Sequence, residues 1–212
     1  CSDKTGTLTK NQLTLGEPFC IGGASKDLVI ASAALASRAE DQDPIDLAVL
    51  AGLSDKAVIA QDRVTHFQPF DPVHKRTEAT VRDGNEVRVA KGAPQAILAL
   101  LSSPADVAPQ VDKAVGDFAV RGYRSLGVAR AEKDGAWQYL GVLPLFDPPR
   151  DDSAQTISTA RQMGIDVKMV TGDQVAIGKE IAGQVGLVTD ILDATWFSKT
   201  PQENSPALVE TI

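Results

Sequence analysis

Near the start of the chain, Asp3, Lys4, Thr5, Gly6 and Thr7 stand in one run, an acid and a base among hydroxyls and a glycine. These are the parts of a phosphate site, since one carboxylate can attack phosphorus while lysine and threonine donate to its oxygens. A polar turn after a strand has the same composition. A second run, VTGDQ at 170–174, sets Thr171, Gly172 and Asp173 between a predicted strand and a predicted helix. There a hydroxyl, a flexible backbone and a helix dipole would all point toward an anion. The structural alternative is that Thr171 and Asp173 simply cap the helix. Two such loops separated by a long insertion favour the phosphate reading.

The elements that must position these loops change character along the chain. Residues 26–39 carry Leu28, Ala31, Leu35 and Ala39 at helical spacing, and 44–53 open with Pro44 at a first helical position. From Val64 the pattern is that of strands, with Asp83-Gly84 turning TEATVRD into NEVRVAK. Helical pattern returns at 94–101 and 106–122, followed by a strand pair, RSLGVARAE and AWQYLGVLPL, around Asp134-Gly135. The middle of the chain therefore reads as mixed α and antiparallel β. After Pro148-Pro149 come a capped helix closed by Gly164, a strand at 165–170 and a helix at 174–186, a βαβ rhythm that implies parallel pairing. In such a sheet ligands sit beyond the carboxyl ends of strands, where Asp3 and the 170–174 loop are both expected. The segment 193–206 is turn-rich and receives no regular element.

Composition narrows the functions. A chain of 212 residues can bury about 70% of its unfolded surface. The net charge of -7 with scattered basic residues argues against nucleic acid as a partner. Cys1 and Cys20 are the only cysteines and show no ligand spacing, so a disulfide scaffold or zinc site lacks support and a reducing, cytosolic setting fits best. No apolar run approaches the roughly 18 residues that span a bilayer, and no initiator methionine or signal peptide opens the chain. The sequence reads as a soluble piece of something larger.

Four motifs in order, DKTGTLT at 3–9, KGAP at 91–94, DPPR at 147–150 and TGD at 171–173, resemble the cytoplasmic catalytic part of the P-type, cation-transporting ATPases. Within that family DQDPID at 41–46, FDPVHKRTEATV at 70–81 and VKMVTGDQVAIGKE at 167–180 most resemble the plasma-membrane proton pumps. The resemblance implies an α/β fold: a haloacid-dehalogenase-like, Rossmannoid phosphorylation domain, incomplete and split into 1–15 and 143–212. An α+β nucleotide-binding domain built on an antiparallel sheet is inserted at 16–142.

It further implies that Asp3 takes the γ-phosphoryl of ATP, with Lys4, Thr5, Thr171, Gly172 and Asp173 completing the catalytic set. Mg²⁺ would be held by the Asp3 carboxylate and the Thr5 carbonyl. Phosphatases of the same fold carry a second aspartate at the Thr5 position, so threonine there implies a longer-lived phosphoenzyme. In the insertion, Phe70 would stack on adenine, Asp46 would hydrogen-bond the purine side, and Lys75, Lys91, Gly92, Arg124 and Arg150 would line the nucleotide or contact ribose and phosphate. Taken singly, Phe70 reads as core packing, Lys91 as a solvated strand end and Arg124 as a surface charge.

GDQVAIGKE at 172–180 has one residue too many between its glycines for a phosphate loop and Glu180 where a metal-binding hydroxyl belongs. Gly178 and Lys179 are therefore expected inside a helix. His66 and His74 lack partners at ligand spacing and read as surface or core residues. The family's later GDGxND loop, its membrane helices and its actuator domain do not occur in these residues, so they are expected as partners in the same polypeptide, with ATP as substrate and the cytoplasmic face of the plasma membrane as location. This chain alone is expected to bind ATP without turning it over. Two other readings stand beside the pump: a soluble aspartate-dependent phosphatase and a non-catalytic nucleotide-binding module.

Overall fold

The computed structural model describes residues 1–55, 57, 64–133 and 135–192, and the side chain of Asp83 is not described. The chain forms two compact units, one of residues 12–119 and 123–147, the other of residues 1–11, 120–122 and from 148 onward.

The larger unit is built on an antiparallel sheet. Its strands are β2 (Thr14–Leu15), β3 (Phe19–Cys20), β4 (Val64–Asp71), β5 (Arg76–Asp83), β6 (Asn85–Gly92), β7 (Arg124–Glu132) and β8 (Gln138–Phe146). They run in the order β2-β8-β7-β6-β5-β4, with β3 also pairing β8. The expected β5–β6 hairpin turns at Gly84, whose φ of 75° needs a residue without Cβ. Seven consecutive residues of β8, Tyr139–Phe146 less the last, are buried, because helices cover both faces of the central strands. On one face α1 (Lys26–Leu35) and α2 (Pro44–Ala51) bring Val29, Ala33 and Val49 onto Val128, Leu140 and Leu143. On the other, α3 (Pro94–Leu98) and α4 (Ala108–Ala119) pack Ile97, Val111, Val115 and Phe118 against Ala129, Tyr139 and Val142. The spacing of Val111, Ala114, Val115 and Phe118 is that of one helix face.

Several helices are shorter than their periodicity predicts. α1 stops at Leu35 rather than Ala39, because the Ala36 carbonyl accepts the Thr77 hydroxyl at 2.8 Å and the Ser37 hydroxyl turns back to Ala33 at 2.9 Å. The released residues 38–43 become a loop leading to Asp43, which caps α2 by accepting from Ile45 and Asp46 N–H. α3 covers only Pro94–Leu98 of the expected 94–101.

In the smaller unit, β1 (Ser2–Asp3) pairs in parallel with β9 (Met169–Val170). β9 covers Met169–Val170 of the predicted 165–170, the two residues that pair with Ser2–Asp3. α5 (Ser153–Gln162) ends as expected, with Gly164 at φ 77° and Ile165 N–H closing onto Ala160 O at 2.9 Å. α6 (Val175–Gln184) packs Ala182 into a core with Leu8, Ile157, Val185 and Leu187, and Gly178 is buried inside it as the sequence predicts. The unit boundaries fall at 11/12 and 147/148 rather than 15/16 and 142/143. The reason is that Thr14–Leu15 and the end of β8 pair with each other in the larger sheet. The turn-rich 193–206 lies outside the described residues.

Candidate functional site

The DKTGT run is shaped by one buried residue, Thr9. Its N–H and its hydroxyl both donate to Lys4 O, at 2.9 and 3.1 Å, and its hydroxyl accepts Gly6 N–H at 3.3 Å. Gly6, at φ 78°, makes the reversal. The outcome is that sequence neighbours part: Asp3 ends β1 exposed to solvent, while the Lys4 side chain is 2% exposed. A buried ammonium group is tolerated only when compensated, and Lys4 Nζ lies 2.9 Å from Asp173 Oδ2. Thr171 Oγ1 accepts Asp173 N–H at 3.1 Å. The capping alternative is not what forms, since the N-cap position of α6 is Gln174 and no side chain caps it. Thr5 is half-buried, and Gly6, Thr7 and Gly172 are exposed.

An accessible carboxylate beside a charge-compensated lysine can approach phosphorus while threonine hydroxyls face the same solvent. The Asp3 carboxylate and the Thr5 carbonyl are hard oxygen donors of the type Mg²⁺ takes alongside water and phosphate oxygens. Among the described residues, no group of three or more His, Cys, Asp or Glu side chains could hold a metal by itself. Arg150 belongs to this smaller unit: its N–H donates to Leu8 O at 2.9 Å and its guanidinium lies 3.7 Å from Asp152. It is exposed and belongs to the unit that does not contain the cleft described next.

In the larger unit a cleft of about 660 Å³ opens at the ends of β4–β7. Its floor is polar and buried. Lys91 Nζ lies 2.6 Å from Asp46 Oδ1 and 3.0 Å from Thr77 Oγ1, and Asp46 Oδ2 accepts Arg38 N–H at 2.8 Å. Asp46, Thr77 and Lys91 are all buried. Asp46, expected to bond a purine directly, thus already has both oxygens engaged, and Lys91 is no solvated strand end.

The walls are mostly apolar. Phe70 is 60% exposed at the cleft, which removes the core-packing alternative, and Phe67 lines it with the Arg38 guanidinium 3.9 Å from its ring centroid. Lys75, Gly92 and Arg124 line the cleft too. A Cβ on Gly92 would stand 2.4 Å from the Lys75 carbonyl, so only glycine lets β6 pass the β4–β5 turn this closely. His66 is exposed on β4, and His74 pairs on the surface with Asp71. The Val73 N–H, and then His74, hold the Asp71 carboxyl below the usual carboxylate range.

Sequence reasoning missed Phe67, Thr77, Arg38 and Ser125, whose buried hydroxyl faces the cleft region with no partner among the described residues. Phe67 left a signal as a second aromatic in the Phe70 strand, and Thr77 as a member of the FDPVHKRTEATV run.

The profile of the haloacid dehalogenase-like hydrolases matches residues 1–210. Plasma membrane ATPase 1 of Schizosaccharomyces pombe is 44% identical over 218 residues, covering 97% of this chain and 24% of that protein. Plasma membrane ATPase 1 of Saccharomyces cerevisiae is 45% identical over 206 residues, covering 92% and 22%. A Methanocaldococcus jannaschii protein described provisionally as a cation-transporting ATPase is 48% identical over 204 residues, covering 94% and 25%. A crystal structure of a zinc-transporting PIB-type ATPase shares the fold with a TM-score of 0.57 at 24% identity, over 87% of this chain and 27% of that one. The chain thus spans about a quarter of the length of the relatives it matches, and no helix among the described residues is long and apolar enough to cross a membrane. With that profile matched over residues 1–210, the chain belongs to the haloacid dehalogenase-like hydrolases.

Proposed function

We propose that this chain is the catalytic cytoplasmic part of an ATP-driven cation pump in which Asp3 accepts the γ-phosphoryl group of ATP bound in the cleft. The observation that carries the reading is the contrast at the start of the chain: Asp3 exposed at the end of a parallel strand, and next to it Lys4 buried against Asp173. A carboxylate is a weak nucleophile toward a crowded, negatively charged phosphoryl group, so charge near it must be compensated before it can attack. Lys4 would supply an ammonium group whose position Asp173 fixes. Asp3 and Thr5 would hold Mg²⁺, which when bound screens the phosphate oxygens. In the cleft, Phe70 would stack on the base and Lys75 and Arg124 would meet the ribose or phosphates.

Asp46 takes a role different from the one first expected. It holds the Lys91 ammonium group in place. Threonine at position 5, where related phosphatases use a second carboxylate, favours a lasting phosphoenzyme over a soluble phosphatase. A pump needs that lifetime, because phosphorylation must outlast a conformational change.

Proton export is the proposed transport, supported by the likeness of residues 41–46, 70–81 and 167–180 to the plasma-membrane proton pumps and by relatives named plasma membrane ATPases. The cytoplasmic face of the plasma membrane follows as location, with membrane helices and an actuator domain of the same polypeptide as partners. The test is reconstitution of the intact protein in vesicles. ATP with Mg²⁺ should build a pH gradient that Asp3→Asn abolishes. Uptake of K⁺ or Ca²⁺ without a pH gradient would assign another ion, and a gradient persisting in Asp3→Asn would refute the catalytic assignment.

A further inference from the structure

Among the described residues β4 is an edge strand, and in a regular strand residues three apart face opposite sides. Phe67 and Phe70 should therefore diverge, yet both line the cleft, with Pro69 between them. The pairing register explains this. Gln68 pairs with Glu78 and Asp71 with Arg76, so Pro69 and Phe70 together oppose Thr77 alone. Two residues against one is a β-bulge, which re-aims side chains. Pro69, having no N–H to give a ladder, suits an edge strand at that point.

Little burial holds this end of the strand, since Phe70 is 60% and Val73 83% exposed. Hydrogen bonds centred on Asp71 do so instead. Its Oδ1 accepts Val73 N–H at 2.8 Å, its Oδ2 meets His74 Nδ1, and its carbonyl accepts Lys75 N–H at 2.6 Å. Lys75 turns through φ 53°, and its carbonyl accepts Ala93 N–H at 2.9 Å, joining the turn to the end of β6 beside Gly92.

We propose that Asp71 is a positioning residue for nucleotide binding: its side chain fixes the 71–75 turn that presents Phe70 and Lys75 to the cleft. The inference rests on reading the cleft as the ATP pocket. Of the two side-chain contacts, the one to Val73 N–H carries the role. The His74 pair is half-exposed, and surface pairs of this kind contribute little. An uncharged acceptor of the same shape therefore suffices.

The experiment is titration of the purified chain with a non-hydrolysable ATP analogue and Mg²⁺, alongside thermal unfolding, for wild type, Asp71→Ala, Asp71→Asn, His74→Ala and Phe70→Ala. Asp71→Ala should bind roughly 3- to 10-fold more weakly, the effect of losing one ordinary hydrogen bond. Asp71→Asn and His74→Ala should stay within about twofold of wild type, because each keeps the acceptor for Val73 N–H. Thermal midpoints should stay at wild type in Asp71→Asn and His74→Ala and fall by no more than about 2–4 °C in Asp71→Ala. Equal losses in Asp71→Ala and Asp71→Asn would overturn the proposal, as would wild-type affinity in Asp71→Ala while Phe70→Ala weakens binding, which would leave the pocket reading standing. Failure of the wild type to bind would overturn both.

Discussion

Each unit of this protein holds one buried lysine–aspartate pair beside one exposed group proposed to meet ATP, and the two are built in opposite ways. In the smaller unit, exposed Asp3 and buried Lys4 are adjacent in sequence, and the pair is closed by Asp173 from a distant loop. In the larger unit, Asp46 from α2, Lys91 from β6 and exposed Phe70 from β4 are brought together only by the sheet and the helix packed on it. The lesson is that burial of charge and exposure of the reacting or stacking group serve one end. The buried pair fixes geometry and charge, and the exposed neighbour stays free to meet the ligand.

That comparison predicts a separation of effects. Removing one partner of a buried pair strands the other charge and costs about 3–5 kcal/mol, so Lys4→Met and Lys91→Met should each lower the thermal midpoint of unfolding markedly. Restoring a neutral partner, in Lys91→Met with Asp46→Leu, should recover much of the loss in stability and none of any nucleotide affinity. Calorimetric unfolding of the single and double variants checks this, and a Lys91→Met protein as stable as wild type would break the comparison.

Phe70→Ala should do the reverse. Loss of stacking of about 1 to 3 kcal/mol weakens nucleotide binding roughly 5- to 150-fold, while an exposed ring contributes too little to folding to move the midpoint. Isothermal titration beside calorimetry separates the two quantities. A fall in stability matching that of Lys91→Met would show that Phe70 belongs to the core after all.

The smallest effect concerns a buried hydroxyl away from both pairs. Burial, with a smaller contribution from Asp112, pushes the Tyr139 phenol well above its usual range, and its Oη has no partner among the described residues. A group whose folded pKa is raised contributes stability that is complete below its unfolded value of about 10 and is lost as pH rises beyond it. Tyr139→Phe should therefore leave stability near pH 7 almost unchanged and flatten its decline above about pH 10. Chemical denaturation as a function of pH measures both. An equally steep alkaline decline in the variant would assign it to other groups.

How much of this was legible in the sequence differs between the same two regions. The β5–β6 hairpin, β7 and β8 follow from alternation and from Gly84, because their signals are local. Asp3 and the 170–174 loop were visible for the same reason. What the sequence did not show was set by contacts between distant residues. α1 ends early because Thr77 takes the carbonyl of Ala36, the residue that follows it. Asp46 faces Lys91 rather than standing open, because the fold brings the first turn of α2 to the end of β6. Arg150 carries a motif residue's identity but lies with Leu8 and Asp152, in the unit that does not contain the cleft. Thr77 stands inside the 70–81 motif without being singled out there, Phe67 lies outside every motif, and a bulge no periodicity announces lets Phe67 and Phe70 share the cleft wall.

The central claim is that the exposed carboxylate of Asp3 takes the phosphoryl group, and it is tested most directly by brief exposure of the intact protein to γ-labelled ATP and Mg²⁺, followed by acid quench and peptide mapping. The account predicts label that survives acid, is released by hydroxylamine as an acyl phosphate must be, maps to the peptide containing Asp3 and is absent in Asp3→Asn. Label of the same amount and chemistry in Asp3→Asn would contradict it.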